Sequence, residues 1–330
     1  MLADELVVPL ASVDMVMGDT LLCPYDRGTF GSLSTPYFGV ALRQAAAEAR
    51  SVLVQMAAEN LNVSPSQLKV NDGQIIDRKN SNRSVTYARL TGGKIIERRL
   101  KQSVSPLPVS QHTISGKATG RIDARQKVTG EAHYSGDIRL PGMLYAKILR
   151  PPAHDASLKS IDLEPVKKIK GIKIIRDRDL IVVLHRYPDE AQKALDKINV
   201  DWEQPEPEVD NRSIFDHLLR SAPSAEVIAQ NGNIEKGRNH ATQKFEARYL
   251  NHYVAHAPME PHTAVAEVKG QKATVWASTQ TPIWAQQEVA STLGLAKENV
   301  RVITPFVGGG FGGKTRNQQV IEAARLAKLS

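Results

Sequence analysis

The residues with the most chemical promise lie in Val307–Lys314, which reads Val-Gly-Gly-Gly-Phe-Gly-Gly-Lys. Five of the six positions from Gly308 to Gly313 are glycine, so the backbone is almost bare. Such a backbone reaches φ values closed to other residues and can bring its N–H groups against negatively charged oxygens. Phe311 is the exception, one apolar wall inside the loop. An apolar strand precedes it (Val300, Val302, Ile303) and a helical pattern follows from about Asn317 to Leu329. That order aims loop amides and a helix N-terminus at a single anion. The Walker A spacing is also met, from Gly308 to Gly313-Lys314, with Thr315 completing Gly-Lys-Thr. A nucleotide-binding loop and a plain flexible turn therefore stand beside the anion-site reading.

Other constellations are less specific. His256, Glu260 and His262 are metal ligands by residue type, but Pro258 and Pro261 prevent a helix from placing them on one face. A polar turn entering a strand (Ala264, Ala266, Val268) is the plainer reading. Gly-x-Ser-x-Gly is absent, so no nucleophile elbow is offered. In Ser278-Thr279-Gln280-Thr281-Pro282, Thr281 reads as a helix N-cap with Pro282 at the first helical position, which leaves Gln280 free to point elsewhere. Between Gly28 and Thr35 the hydroxyls of Ser32, Ser34 and Thr35 either solvate a loop or donate to a phosphate. The single cysteine, Cys23, reads as a small buried residue. It excludes an internal disulfide and a Cys-ligated iron–sulfur cluster in this chain. Any redox electrons must leave through another subunit.

Positioning these groups takes a substantial core. The chain has 330 residues, 41% hydrophobic and 24% charged, with 43 Lys+Arg against 35 Asp+Glu for a net charge of +8. This is an ordinary globular composition with room for two or three domains. The basic clusters at Arg98, Arg99, Lys101 and at Lys167, Lys168, Lys170, Lys173 carry no interleaved aromatics, so they read as solvated faces rather than a nucleic-acid site. No apolar run approaches the ~18 residues of a membrane span. Without a basic N-terminal region no signal peptide is visible. The default location is cytoplasmic, or periplasmic if the chain is exported with a partner.

In order along the chain, a helix tail (Ala3–Pro9) leads to a strand (Val13, Met15, Met17), and a helix spans Gly39 to about Asn60. The apolar positions of that helix are Leu42, Ala45, Ala49, Val52, Leu53 and Met56. A hairpin turns at Asn71-Asp72-Gly73, and an extended linker runs from Lys101 to Gln111. The middle region shows strands at Leu144–Leu149, Ile172–Ile175, Leu180–Leu184 and Ile198–Trp202, with a helix at Pro188–Lys197. A helix-end, loop, strand-start pattern recurs with a seven-residue step at Leu6 to Val13, Leu61 to Leu68 and Leu293 to Val300. The expected fold class is mixed α+β and α/β. The limits are 1–108 and 226–330 for two glycine-bearing portions, and 109–225 for an inserted domain.

Taken together, four ordered motifs resemble one family. Met259-Glu260-Pro261-His262, Trp276-Ala277-Ser278-Thr279-Gln280-Thr281-Pro282, Val289-Ala290-x3-Leu293-Gly294 and Val307–Lys314 are similar to the molybdenum-binding subunit of the xanthine dehydrogenase/aldehyde oxidase family. Lys127–Tyr134 and Asp137–Ala146 resemble that family's α/β hammerhead domain. Gly18-Asp19-Thr20 and Gly28–Thr35 resemble a pterin-binding segment, here placed first, as in isoquinoline-oxidoreductase-like subunits. The resemblance implies molybdopterin-binding α/β portions flanking an inserted hammerhead domain. It implies a molybdenum–molybdopterin cofactor, in the cytosine dinucleotide form, whose dithiolene holds the metal without a protein ligand. By the same resemblance Gln280 and Phe311 are catalytic. The cofactor contacts are Gly31, Ser32, Ser34, Thr35, Gln280, Gly309, Gly310, Phe311, Gly312 and Gly313. Implied partners are a subunit carrying 2Fe-2S clusters, the remaining C-terminal part of the molybdenum subunit, and an aldehyde or N-heterocycle.

Two departures qualify the resemblance. Thr315 stands where xanthine dehydrogenases carry a substrate-contacting Glu, which argues against purines. The family's general-base Glu, in a Gly-Glu-Pro motif, has no counterpart in this chain. The expectation is therefore a fragment or one piece of a split subunit, inactive alone. A P-loop nucleotide-binding protein and a non-catalytic interaction module remain the alternatives.

Overall fold

The computed structural model describes residues 1–98, 104–178 and 180–330. Arg99, Lys101 and the first residues of the expected linker lie outside them. The chain divides into two compact units, Met1–Pro141 with His256–Ser330, and Gly142–Ala255. The sequence reading set the limits of its insertion at 109 and 225.

The first unit begins with α1 (Leu2–Leu6), then α2 (Ser34–Leu61). Helix α2 starts five residues before the expected Gly39, and Pro36 is no obstacle in a first turn whose N–H groups lack intrahelical partners. Its buried face also differs from the expected one. Ala46 and Ala47 are buried while Ala45 and Ala49 are exposed. The rotation follows from α1, whose fully buried Glu5 accepts from Arg43 Nε at 2.9 Å and pairs with Arg50. An alanine stripe flanked by two arginines carries no hydrophobic periodicity, so pattern reading misplaced Ala45 and Ala49, while Leu53 does pack on the core.

A three-stranded antiparallel sheet follows, ordered β1 (Leu68–Asn71), β2 (Gln74–Asp77), β3 (Ser84–Thr86). Asp72 and Gly73, both at positive φ, make its hairpin turn where the sequence places it. Leu68, Ile75 and Val85 pack on Ala57 and Ala58 of α2. Two short helices, α3 (Tyr87–Thr91) and α4 (Ala124–Thr129), complete this portion.

The second unit holds β4 (Tyr145–Ile148), β5 (Ser157–Asp162), α5 (Glu164–Lys167), β6 (Lys173–Asp177), β7 (Leu180–His185), α6 (Pro188–Leu195), β8 (Asn199–Glu203), α7 (Ile214–Ser221) and α8 (Ile234–His240). Central β7 is buried along its whole length between β4 and β6. Val183 packs with Val166, Ala194 and Ile198. Strand β5 pairs with β8 across a bulge and was not expected, because Ser157–Asp162 is mostly polar.

The chain then returns to the first unit with β9 (Ala264–Lys269), β10 (Lys272–Ala277), α9 (Pro282–Leu293), β11 (Val300–Ile303) and α10 (Gln318–Leu329). Strands β10 and β11 are parallel and joined through α9, while β9 pairs antiparallel to β10. Val275, Val289, Val302, Val320 and Ala324 form its fully buried core.

The strand expected at Val13–Met17 does not form, and Val16 and Met17 are exposed. Only the residues beyond it reach the last sheet, where Asp19 bridges Ile303 and Thr20 N donates to Val302 O at 3.0 Å. Cys23, expected to be buried, is partly exposed. The seven-residue step nonetheless has one geometry in all three copies. A left-handed residue ends the helix (Val7, Asn62, Gly294), a 3-10 turn follows (Leu10–Ser12, Pro65–Gln67, Lys297–Asn299), and extended backbone begins.

Candidate cofactor site

Parallel strands β10 and β11 end on the same edge, and the loops leaving their carboxyl ends are Ser278–Thr281 and Thr304–Lys314. That edge is where open α/β sheets gather ligands. Behind it, buried Thr279 donates to Asn317 Oδ1 at 2.6 Å, and Asn317 Nδ2 donates to Thr281 Oγ1 at 3.2 Å. Thr281 is at the N-cap position of α9 with proline following, as expected, but its side chain does not cap. Its hydroxyl donates to Thr315 O at 3.2 Å instead, which ties α9 to the glycine loop.

The glycines are explained by neighbours as much as by φ. A Cβ on Gly310 would collide with the Gln280 carboxamide, and one on Gly308 with Glu260 Cβ. Gly309 and Gly312 each have φ of 94°. One on Gly313 would lie 3.0 Å from the His256 ring. The loop's amides divide into two sets. Gly308 N donates to Glu260 Oε2 at 2.8 Å, Gly312 N and Lys314 N each donate to Gln280 Oε1 at 3.1 Å, and Gly313 N donates to Gly310 O at 2.8 Å. Among the described residues no acceptor meets the N–H of Gly309, Gly310 or Phe311. Three consecutive free amides suit an anion.

Phe311 follows at φ 53°, a region that disfavours a bulky residue, yet its side chain is 73% exposed.

Gln280 joins this loop to the N-terminal segment. Its Nε2 donates to Thr29 O at 2.5 Å, and Thr29 N donates to the Gln280 backbone O at 2.8 Å. A Cβ on Gly28 would lie 2.6 Å from that same oxygen. Ser34 Oγ donates to Thr29 Oγ1 at 3.3 Å, and Ser34 and Thr35 open α2, where N–H groups lack intrahelical partners. Gln280, Gly310 and Gly312 are thus in direct contact, and Gly309 meets the Phe311 ring. Of the other expected contacts, Ser34 connects to them through Thr29, while no bond joins Gly31, Ser32 or Thr35 to the loop among the described residues.

Sequence reading did not single out Tyr25, Arg27 and Tyr37. They line an open cleft against the start of α2, with the Arg27 guanidinium 5.6 Å from the Tyr37 ring. Aromatic spacing on that side is too irregular to have flagged them. Nor did it pair Asp19 with Arg301, whose Nε is 3.0 Å from Asp19 Oδ1. Hydrogen bonds from that guanidinium hold the Asp19 carboxyl below its usual range; burial opposes them and the Leu21 N–H assists.

Two alternatives raised by the sequence meet the following geometry. Lys314, which completes the Walker A spacing, is fully buried with its ammonium 2.7 Å from Glu260 Oε2, and Thr315 Oγ1 donates to Gly312 O at 2.7 Å. Neither head group is free for a nucleotide phosphate. Glu260 is likewise turned to Lys314, Ser278 and Gly308. Among the described residues no group of three His, Cys, Asp or Glu side chains is placed to hold a metal ion.

Two family models, each described as a molybdopterin cofactor-binding domain, match residues 1–134 and 220–329. A nicotinate dehydrogenase subunit of Pseudomonas putida is 27% identical over 336 aligned positions, covering 99% of this chain and 28% of that protein. Isoquinoline 1-oxidoreductase subunit beta of Brevundimonas diminuta is 26% identical, covering 96% of this chain and 46% of that protein. The chain thus spans less than half the length of either relative. Among solved structures, reconstituted CO dehydrogenase from Oligotropha carboxidovorans shares the fold, with a TM-score of 0.53 at 21% identity over 65% of this chain and 34% of that one.

Proposed function

This chain belongs to the molybdopterin-binding subunits of the xanthine dehydrogenase/aldehyde oxidase family, and from that premise we propose that it forms one wall of the cofactor site in a molybdenum hydroxylase. The observation that carries the proposal is the division of the loop's amides, with those of Gly309, Gly310 and Phe311 left free beside Gln280.

These residues fit an anionic cofactor. Close approach is open along a glycine backbone, and Gln280 Nε2 has a second proton beyond the one given to Thr29. The Glu260 carboxylate beside the loop is matched by Lys314. In this reading Gly309, Gly310, Phe311, Gly312 and Gly313 line the pterin end. Gly31, Ser32, Ser34 and Thr35 take phosphate oxygens at the start of α2. Gln280 and Phe311 are the residues nearest the chemistry. Gln280 would offer a neutral, preorganised donor to the bound group, and Phe311 would present an apolar face to the substrate. When bound, the group supplies hydroxylation of an electron-poor carbon with water as the oxygen source. The protein's share is to bind, orient and keep water out.

The finer features belong to the same proposal. They are a cytosine dinucleotide tail, a hammerhead identity for Gly142–Ala255, a 2Fe-2S partner subunit, a further portion of the molybdenum subunit, and an aldehyde or N-heterocycle as substrate. The names of the two relatives, a nicotinate dehydrogenase and an isoquinoline oxidoreductase, favour the N-heterocycle. The test is expression of the chain in a molybdopterin-producing host, followed by assay of molybdenum and of the fluorescent pterin oxidation product. Detectable but sub-stoichiometric pterin is the expected result, because one wall alone holds the group weakly; its complete absence, with tight ATP or GTP binding in its place, overturns the reading.

A further inference from the structure

One oxygen of Glu260 gathers donors from three places. Ser278 Oγ, just past the end of β10, donates to Oε2 at 2.9 Å; Gly308 N, at the start of the glycine loop, at 2.8 Å; and Lys314 Nζ, at the loop's end, at 2.7 Å. The backbone repeats the connection, since Glu260 N donates to Gly308 O at 3.2 Å and Gln280 N to Lys314 O at 2.9 Å. Gly308 has no side chain because Glu260 occupies that space.

Stability alone does not favour this arrangement. The Lys314 side chain is fully buried, the Glu260 side chain is 10% exposed, and Glu260 Oε1 is buried with no partner. A buried ion pair of this kind is commonly no better than an apolar pair, and an orphaned oxygen adds to its cost. What the pair does supply is a fixed distance between the two ends of the loop. That distance sets whether the Gly312 and Lys314 amides can both reach Gln280 Oε1, and hence how the Gln280 carboxamide is turned.

We propose that Glu260 and Lys314 are a positioning pair that holds the glycine loop and the Gln280 carboxamide in their cofactor-accepting geometry. Neither contacts the cofactor. The inference rests on the reading of the loop as a cofactor wall, but its own geometry can be tested apart from that reading.

The experiment compares the full chain with Lys314→Met, Glu260→Gln and the double variant, all made in a molybdopterin-producing host. Melting temperature, amide exchange of the loop peptide and pterin content are measured for each. Each single variant strands a buried charge and should melt lower. The double variant removes both charges and should melt close to the parent. Its loop amides should nonetheless exchange about tenfold faster, because a neutral carboxamide in place of the Glu260 carboxylate no longer grips the far end of the loop. Its pterin content should fall with them. Parent-like exchange and loading in the double variant would overturn the proposal. If the parent itself carries no pterin, the cofactor reading fails, and the exchange comparison alone still decides the pair. Should the double variant lack a cooperative melt, Ser278→Ala decides. It removes the third donor and leaves the ion pair, so loop exchange should stay within about twofold of the parent. A rise matching that of Lys314→Met would overturn the proposal.

Discussion

Gln280 and Thr29 stand 251 residues apart and exchange two hydrogen bonds, Gln280 Nε2 to Thr29 O and Thr29 N to the Gln280 backbone O. The same Gln280 side chain accepts from Gly312 and Lys314 through Oε1. One carboxamide therefore fixes the spacing between the two segments that the family resemblance assigns to the cofactor. Changing it should disturb both at once.

Gln280→Ala would leave two loop N–H groups and the Thr29 carbonyl without partners. A loss of roughly 1–3 kcal/mol in unfolding free energy is expected, measured by urea denaturation. Pterin content should drop further than this destabilisation accounts for. A variant with parent-like stability and loading would show that the two segments are held by other contacts.

Gly310→Ala tests space rather than backbone freedom, since Gly310 is not at positive φ and its missing Cβ would overlap the Gln280 carboxamide. Displacing that carboxamide should mimic Gln280→Ala in pterin loading. Gly116→Ala is a contrast, with φ of 79° and nothing within 4 Å of its Cβ. It should cost only the backbone strain of about 1 kcal/mol and leave loading intact.

Phe311→Gly should move stability and function in opposite directions. Removing a side chain from left-handed backbone relieves roughly 1 kcal/mol, and little packing is lost because the ring is mostly exposed. The melting temperature should hold or rise while turnover of the assembled enzyme falls. A large drop in melting temperature would mean that the ring is a structural element.

Acid should loosen the contacts of the N-terminal segment. Folded Asp19 titrates below its usual range through the Arg301 hydrogen bonds. Asp4 is also held low: burial pushes it up, but hydrogen bonds from Ser115 Oγ and the N–H groups of Ile114, Ser115 and Thr113 outweigh that. A depressed carboxylate contributes stability above its unfolded value, near pH 4, and loses it as pH falls through the folded value. Asp19→Asn should flatten the stability curve below about pH 4 and cost roughly 1 kcal/mol or less at neutral pH, because Arg301 is partly exposed. An unchanged acid limb would remove Asp19 from the account.

The last sheet, its crossover helix and the glycine loop were legible because each has a strong local signature: β-branched runs, a proline at a helix start, glycines in sequence. Relationships between distant residues were not. Glu260 and Lys314 are 54 positions apart, and each alone suggested a different chemistry, metal binding for one and phosphate binding for the other. Ala45 and Ala49 of α2 were misplaced because burial in that half of the helix rests on Glu5 meeting Arg43 and Arg50, a polar contact that hydrophobic spacing cannot reveal. Val13–Met17 has strand composition, but composition does not supply a neighbouring strand.

The bonds from Gln280 to Thr29 and from Arg301 to Asp19, 282 residues apart, also set an order of events during synthesis. The segment around Thr29 leaves the ribosome long before its partners exist. At ~5–20 residues per second the delay is roughly 12–55 s. Throughout that interval Asp19, Thr20 and Thr29 lack the partners they meet on β11 and at Gln280. Helix α2 and its hairpin, built from local contacts, can close early, but the junction of Thr29 with Gln280 cannot. The junction between the two segments is thereby confined to a late stage of synthesis.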